Sequence, residues 1–382
     1  MPLAALLCKA HLTKPSCNSP LFVKILDVPG TLPWSTLPSH AKALLDLDVR
    51  GWEQALTLGR IHRVAGRWYQ QLDEAGLLPE VPAAVRDHLW SEHLCAEERQ
   101  RMARWEVDRI AHAFRASDMP VVLLKGAAYI AAGLPPGAGR LLSDIDILVP
   151  FARLTEAEEC LRQHGWKTQP HSAYDEHYYR AWMHELPPMQ HLARGSVVDV
   201  HHTLLPRTDR LSPDPAPLLA AAEPLPGSRL SILAPTDMVL HSIVHGFHGG
   251  ELANAWRDVL DVHELIEHFA ITRADFWPMF EARMRQFGFE RPTWYALRLA
   301  QQVHGTRIPE TFLTRLARHA PTLPPRTVMH WALTRAVLPA MPPTLAERLA
   351  LRLLYLRSHW VKMPLPLLAR HLWTKYRQGN KH

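Results

Sequence analysis

The sequence has few of the features that mark disulfide-stabilised, zinc-binding or membrane-spanning proteins. Only four cysteines occur in 382 residues, and none forms a Cys-x-x-Cys pair. Their scatter argues against a zinc knuckle and a disulfide framework and suits a reducing compartment. No uncharged apolar run approaches the ~18 residues that a bilayer-spanning helix needs. We therefore expect a cytoplasmic protein, free or peripheral at the membrane surface, with residues 1–40 as a poorly ordered leader.

Acidic residues are nearly missing from the C-terminal end. Residues 311–382 contain one acid, Glu347, against twelve lysines and arginines, a net +11 within a chain of net +6. A basic end on an acidic body indicates an anionic partner, such as nucleic acid, a membrane surface or an acidic protein. Four aromatic residues lie among the charges of residues 348–381, so this tail is a candidate for docking on an anionic surface. A solvated helical face explains the same charges equally well.

Two segments near the middle of the chain have the pattern of buried strands. The apolar run over 120–125 predicts a strand covered on both faces. In the second segment, 141–149, Asp144 and Asp146 alternate with isoleucines, which places both carboxylates on one face of a strand. Carboxylates on an apolar strand are costly unless a cation compensates them, and Mg²⁺ prefers such oxygen ligands. An Asp-x-Asp pair alone is a weak motif, because solvated strand edges contain it too.

The two segments also contain a longer pattern. Leu124-Lys125-Gly126 ends the first strand, and an Arg-x-x-x-Asp-Ile-Asp sequence runs from Arg140 to Asp146. These motifs resemble the nucleotidyltransferase superfamily with a polymerase-β-like fold and, more narrowly, a bacterial family of uncharacterised nucleotidyltransferases. The likeness extends from about Trp52 to about Ile266. It implies that Asp144 and Asp146 bind Mg²⁺ or Mn²⁺ and that a nucleoside triphosphate is the substrate.

A third carboxylate follows on a predicted hairpin. Residues 189–192 and 196–201 flank a turn with Gly195, and Asp199 is the only acid of the second strand. The resemblance implies that Asp199 completes the metal site with the Asp-x-Asp pair. His201 shares the face of Asp199; it would bind a nucleotide or orient Asp199, and a partly buried structural histidine is an equal alternative.

Four further residues are predicted to bind the nucleotide phosphates: Lys125, Gly126, Arg140 and Ser143. A glycine allows close backbone approach, and an arginine binds phosphate oxygens as a fork. The alternatives are a surface position for Lys125 and a salt bridge from Arg140 to Asp144. His241 and His245 lie one helical turn apart and are interpreted as polar residues of an outer helix face.

The expected fold class is α+β, with a small mixed β-sheet as the nucleotidyltransferase core. The core spans 118–206, between an N-terminal helical subdomain over 41–117 and a larger C-terminal helical subdomain over 230–382 that includes the basic tail. Apolar spacing predicts one helix over 48–76 and another over 82–116.

The expected activity is transfer of a nucleoside monophosphate to an acceptor hydroxyl of unknown identity. The acceptor would be a small molecule, a sugar, a peptide or RNA. The alternative hypothesis is a non-catalytic protein that binds a nucleotide or docks on a membrane or nucleic acid. The cluster of three aspartates favours the enzyme, because a site without a metal has no use for it.

Overall fold

The computed structural model describes residues 41–168, 173–248, 255–337, 344–364, 366–370 and 373. The predicted leader therefore lies outside the described residues, as does most of the chain after residue 370.

Three helices precede the sheet, and their bounds are α1 Val49–Ile61, α2 Ala65–Glu74 and α3 Ala83–Ala113. Asp48 caps α1, as its sequence position suggests, by accepting a hydrogen bond from the Gly51 amide at 2.8 Å. The single helix predicted over 48–76 is wrong: Arg63 adopts a left-handed conformation with φ 58° and separates α1 from α2. The helix predicted over 82–116 is confirmed and is continuous along α3.

Seven strands form one mixed sheet in the order β3-β4-β5-β2-β1-β7-β6. Their bounds are β1 Val122–Leu123, β2 Ile145–Leu148, β3 Trp166–Thr168, β4 Met189–His191, β5 Val197–His201, β6 Glu223–Pro224 and β7 Ser231–Ile232. Strand β2 runs antiparallel to β1 and parallel to β5, whereas β4 and β5 form the predicted antiparallel hairpin. The α+β class with a mixed sheet is confirmed.

The two predicted central strands are shorter than the sequence pattern indicates. Strand β1 ends at Leu123, because Lys125 has φ 46° and begins helix α4, Lys125–Ala131. Strand β2 begins at Ile145, so Asp144 lies just before the strand rather than within it. The sheet also extends past residue 206, since β7 pairs in parallel with β1 on the side away from β2.

Helices cover the rest of the described chain. Their bounds are α5 Leu154–Gln163, α6 Ala173–Trp182, α7 Ala216–Ala220, α8 Pro235–Ile243, α9 Ala255–Thr272, α10 Phe276–Phe287, α11 Glu290–His304, α12 Glu310–Ala317, α13 Pro325–Val337 and α14 Leu345–Lys362. A π-helical segment, Val244–His248, continues directly from α8. None of the helices in the described ranges combines the length and the apolar character needed to cross a bilayer.

One continuous apolar core connects the N-terminal helices, the sheet and the C-terminal helices. A buried ion pair crosses the same region, in which Arg67 of α2 contacts Glu264 of α9 with 2.5 Å between Nη2 and Oε1. The Arg67 guanidinium also donates to the Pro135 carbonyl at 2.7 Å, in the loop between β1 and β2. These contacts hold that loop between the two helical parts and so define the position of the residues that follow it.

Candidate active site

Two of the predicted aspartates face each other across neighbouring strands. Asp146 of β2 is the register partner of Asp199 of β5 in a parallel pair. Register partners in a sheet point to the same face, and neighbouring strands lie about 4.8 Å apart. The hairpin that contains Asp199 therefore brings this carboxylate beside Asp146 although 52 residues intervene between them in sequence. Two adjacent carboxylates on one face form an arrangement that a divalent cation stabilises.

Two basic side chains donate to Asp146. Its Oδ1 atom lies 3.0 Å from Nζ of Lys125 and 2.9 Å from Nε2 of His201. Burial disfavours the charged carboxylate, but the charge of Lys125 and the hydrogen bond from His201 outweigh it and hold the pKa of Asp146 well below its usual value. Asp146 is therefore an ionised carboxylate at neutral pH.

Lys125 reaches this position from an unusual backbone conformation. Its φ of 46° falls in the left-handed region, which residues other than glycine seldom adopt. Such strained positions cluster at functional sites because the surrounding structure must maintain them. The alternative of a surface lysine is wrong, since its ammonium group is only 20% exposed and is paired with Asp146.

Asp144 and Ser143 occupy the segment immediately before β2. The Ser143 hydroxyl donates to Oδ1 of Asp144 at 2.9 Å. Asp144 is more accessible than the buried Asp146, which suits a carboxylate that would meet an incoming metal–nucleotide complex. Contacts of these two residues with a nucleotide stay a prediction.

Arg140 is engaged elsewhere in the protein. Its buried Nη1 atom lies 2.7 Å and 2.8 Å from the two carboxylate oxygens of Asp261 on α9. The guanidinium carbon also stands 5.3 Å from the ring centre of Tyr129, within the range of a cation–π contact. The salt bridge considered from sequence, to Asp144, is thus replaced by one to Asp261. A phosphate contact by Arg140 stays a prediction that must compete with this ion pair.

The space above Gly126 explains why a glycine stands there. A Cβ atom at this position would lie 2.6 Å from Cδ1 of Leu142 and 2.7 Å from Nε of Arg140. Contacts this short require something to move, so only glycine lets Arg140 cross α4 toward Asp261. The predicted approach of a phosphate to Gly126 is a separate matter and stays a prediction.

Two residues that the sequence interpretation did not select complete the surroundings of His201. Oε2 of Glu185 lies 3.3 Å from Nε2 of His201 and 3.7 Å from Nε2 of His184. An isolated β-bridge between Glu185 and His201 holds the two backbones together. Burial, with the nearby charges of His201 and Lys125, holds the pKa of His184 well below its usual value, so this imidazole is neutral. The sequence signal was the adjacent His-Glu pair, but its spacing along the chain does not indicate the contact.

His241 and His245 also belong to this region. The expectation of a polar outer helix face is wrong for His241, which is buried. Burial and the charge of Lys125 hold the pKa of both imidazoles well below the usual value. The α8 helix passes into its π-helical segment between these two histidines, and such irregularities are frequent at functional sites.

Comparisons with known proteins agree with this geometry. A family model described as an uncharacterised nucleotidyltransferase matches residues 48–305, about two thirds of the chain. The match contains all the residues predicted to bind metal or nucleotide and spans the likeness inferred from about Trp52 to Ile266. Searches of the curated proteins and of the solved structures returned no match.

Proposed function

The chain belongs to this uncharacterised nucleotidyltransferase family, and we propose that it transfers a nucleoside monophosphate from a nucleoside triphosphate to an acceptor hydroxyl with the help of Mg²⁺ or Mn²⁺. The observation that supports this most is the pairing of Asp146 with Asp199 in register on adjacent strands. Asp144 precedes Asp146 by two residues, which supplies a third carboxylate at the same end of the sheet.

The donor atoms of this group suit the proposed ion. Mg²⁺ and Mn²⁺ prefer carboxylate oxygens, and Asp146 is ionised at neutral pH because its pKa is lowered. Asp144, Asp146 and Asp199 are the residues that would hold the ion. When bound, it would neutralise phosphate charge and lower the pKa of the acceptor hydroxyl.

In the proposed reaction, the acceptor oxygen attacks the α-phosphorus and the bond to the β-phosphate oxygen breaks. Pyrophosphate leaves, and the hydroxyl proton passes to a carboxylate, for which Asp199 is our candidate. Transfers of this kind depend on alignment and charge neutralisation more than on a protein nucleophile. Lys125 would both hold Asp146 in place and add positive charge beside the phosphates, with Ser143 as a neighbouring hydrogen-bond donor.

The decisive experiment uses triphosphates that are labelled at either the α- or the γ-phosphate. The purified protein is incubated with each NTP, Mg²⁺ and a cell extract, and labelled products are separated after protease, RNase or no treatment. Label should move from the α-position only, and Asp144→Asn and Asp199→Asn should abolish its transfer. Asp275→Asn, at an exposed acid outside the site, is the matched control. Transfer of γ-label, or full activity of Asp144→Asn, would show that the proposal is wrong.

A second property, docking of residues 348–381, has support in the described part of this segment. Helix α14 exposes the apolar side chains of Leu349, Leu356 and Trp360, while Arg348 and Arg352 are exposed on the same helix. Exposed apolar and basic residues on one helix suit the interface of an anionic membrane better than a purely solvated face. Residues 371–372 and 374–381 of the proposed docking segment lie outside the described residues.

A further inference from the structure

A cluster of nitrogen and oxygen donors adjoins the three aspartates but is chemically different from them. His184, Glu185 and His201 each place one donor atom within 4.8 Å of the other two. Both imidazoles converge on the same carboxylate oxygen, Oε2 of Glu185, at 3.3 Å for His201 and 3.7 Å for His184. An ordinary histidine–carboxylate pair needs only one imidazole for one oxygen.

The spacing of these donors matches the requirements of a bound metal. Metal–ligand bonds of about 2.1 Å in a tetrahedral site place neighbouring ligand atoms roughly 3.4 Å apart. The two measured separations, 3.3 Å and 3.7 Å, lie on either side of that value. The cluster thus needs little rearrangement to accept an ion at its centre.

We propose that His184, Glu185 and His201 form a binding site for a divalent transition metal, with Zn²⁺ as the best-fitting ion. Two imidazoles and one carboxylate are a known ligand set of zinc sites that keep one position open for water or substrate. Imidazole nitrogen selects Zn²⁺, Co²⁺ and similar ions, whereas Mg²⁺ requires oxygen donors. The site is therefore distinct in metal preference from Asp144, Asp146 and Asp199.

The surroundings of His184 give separate support. Among the residues that the structure describes, none offers a hydrogen-bond partner to the buried Nδ1 atom of His184. Buried ring nitrogens are almost always satisfied, so this imidazole is not positioned by an ordinary hydrogen-bond network. A role in which His184 contributes a lone pair to an ion accounts for its placement beside Glu185.

The position of the site indicates what its ion would do. Nε2 of His201 also lies 2.9 Å from Oδ1 of Asp146, so the histidine belongs to both groups of ligands. An ion in the cluster would lie beside the phosphates or the acceptor hydroxyl and act on them as a Lewis acid. That role depends on the proposed nucleotidyl transfer, whereas metal binding itself does not.

Cobalt spectroscopy tests the binding without any variant. Untagged protein is stripped with a chelator and titrated with Co²⁺, whose visible d–d bands are intense only in four- or five-coordinate sites. We expect such bands to saturate at one ion per chain and to disappear when Zn²⁺ is added, but not when Mg²⁺ is added. Absence of these bands would overturn the proposal.

Substitutions then locate the ion. Glu185→Gln and His184→Gln should each weaken Zn²⁺ binding by at least about tenfold, whereas His268→Gln, at a half-buried histidine elsewhere, should leave it unchanged. Equal Zn²⁺ affinity in wild type and Glu185→Gln would contradict the proposal, provided that circular dichroism shows both to be folded. Should His184→Gln fail to fold, the isosteric Glu185→Gln variant and the wild-type Co²⁺ spectrum still decide the question.

Failure of this inference can be told apart from failure of the proposed function. Asp144→Asn should lose nucleotide transfer yet keep the Co²⁺ bands, because Asp144 is not a ligand of the cluster. Wild-type protein that binds Co²⁺ but transfers no nucleotide would refute the proposed function alone. Wild-type protein that transfers nucleotide but yields no Co²⁺ bands would refute the transition-metal site alone.

Discussion

The ion pair between Arg140 and Asp261 provides a sharp test of what Arg140 does. Both side chains are nearly buried, at 9% and 7% exposure, and Nη1 of Arg140 lies within 2.8 Å of both carboxylate oxygens. Removal of one member leaves the other as an uncompensated buried charge, which costs about 3–5 kcal/mol. We therefore expect Arg140→Ala and Asp261→Ala each to lower the free energy of unfolding by about that amount.

A matched pair on the surface supplies the control. Arg273 and Glu223 form an ion pair at 2.8 Å, but their side chains are 49% and 37% exposed. Exposed pairs contribute about 0–1 kcal/mol, so Arg273→Ala should change the free energy of unfolding by no more than that. Replacement of both buried partners by apolar residues, in Arg140→Met with Asp261→Leu, should recover much of the lost stability.

Urea unfolding and nucleotide affinity, measured on the same variants, separate the two roles of Arg140. A structural ion pair predicts that Arg140→Ala and Asp261→Ala are equally destabilised. A phosphate contact predicts a loss of nucleotide affinity in Arg140→Ala at unchanged stability. The second result would refute our reasoning and would support the role that the motif predicts.

Three further predictions follow from individual contacts. Gly126→Ala should lower the unfolding free energy by about 1–3 kcal/mol in urea, because its Cβ atom would collide with Leu142 and Arg140; an unaffected midpoint would contradict this. Burial lowers the pKa of His62 to about 4 from 6.5, so its contribution to stability, up to about 3 kcal/mol, is present above pH 6.5 and is lost as the pH falls toward 4. The pH dependence of urea unfolding should therefore be shallower in His62→Gln, and equal slopes would argue against it. Binding of the wild type to anionic vesicles should weaken steeply with salt, and glutamates at Leu349 and Leu356 should abolish it; absence of wild-type binding at low salt would leave α14 as a solvated face.

The carboxylates of the site could be predicted from sequence because strand geometry is local. Alternation placed Asp199 and His201 on one face of the hairpin strand, and the position of the hairpin suggested a partner for Asp146. The parallel pairing of β2 with β5 then aligned Asp146 with Asp199. That pairing is a long-range contact, so the sequence supplied only a reason to expect it.

The remaining parts of the site depend on contacts that have no local signal. Arg140 meets Asp261 across 121 residues of sequence, and His241 reaches the site only because α8 packs near Lys125. Backbone irregularities also broke the apolar patterns, since left-handed conformations at Arg63 and Lys125 ended elements earlier than periodicity predicted. Both residues are poor choices for that conformation by local preference.

The most direct test of the central claim is calorimetric binding of Mn²⁺ in the presence of a non-hydrolysable nucleoside triphosphate. We expect the wild type to bind Mn²⁺ more tightly with the nucleotide than without it, because metal and phosphates share one site. Asp144→Asn and Asp199→Asn should each abolish this enhancement, while Asp275→Asn keeps it. Nucleotide binding that is independent of Mn²⁺, or enhancement that survives in both site variants, would contradict the assignment of these aspartates.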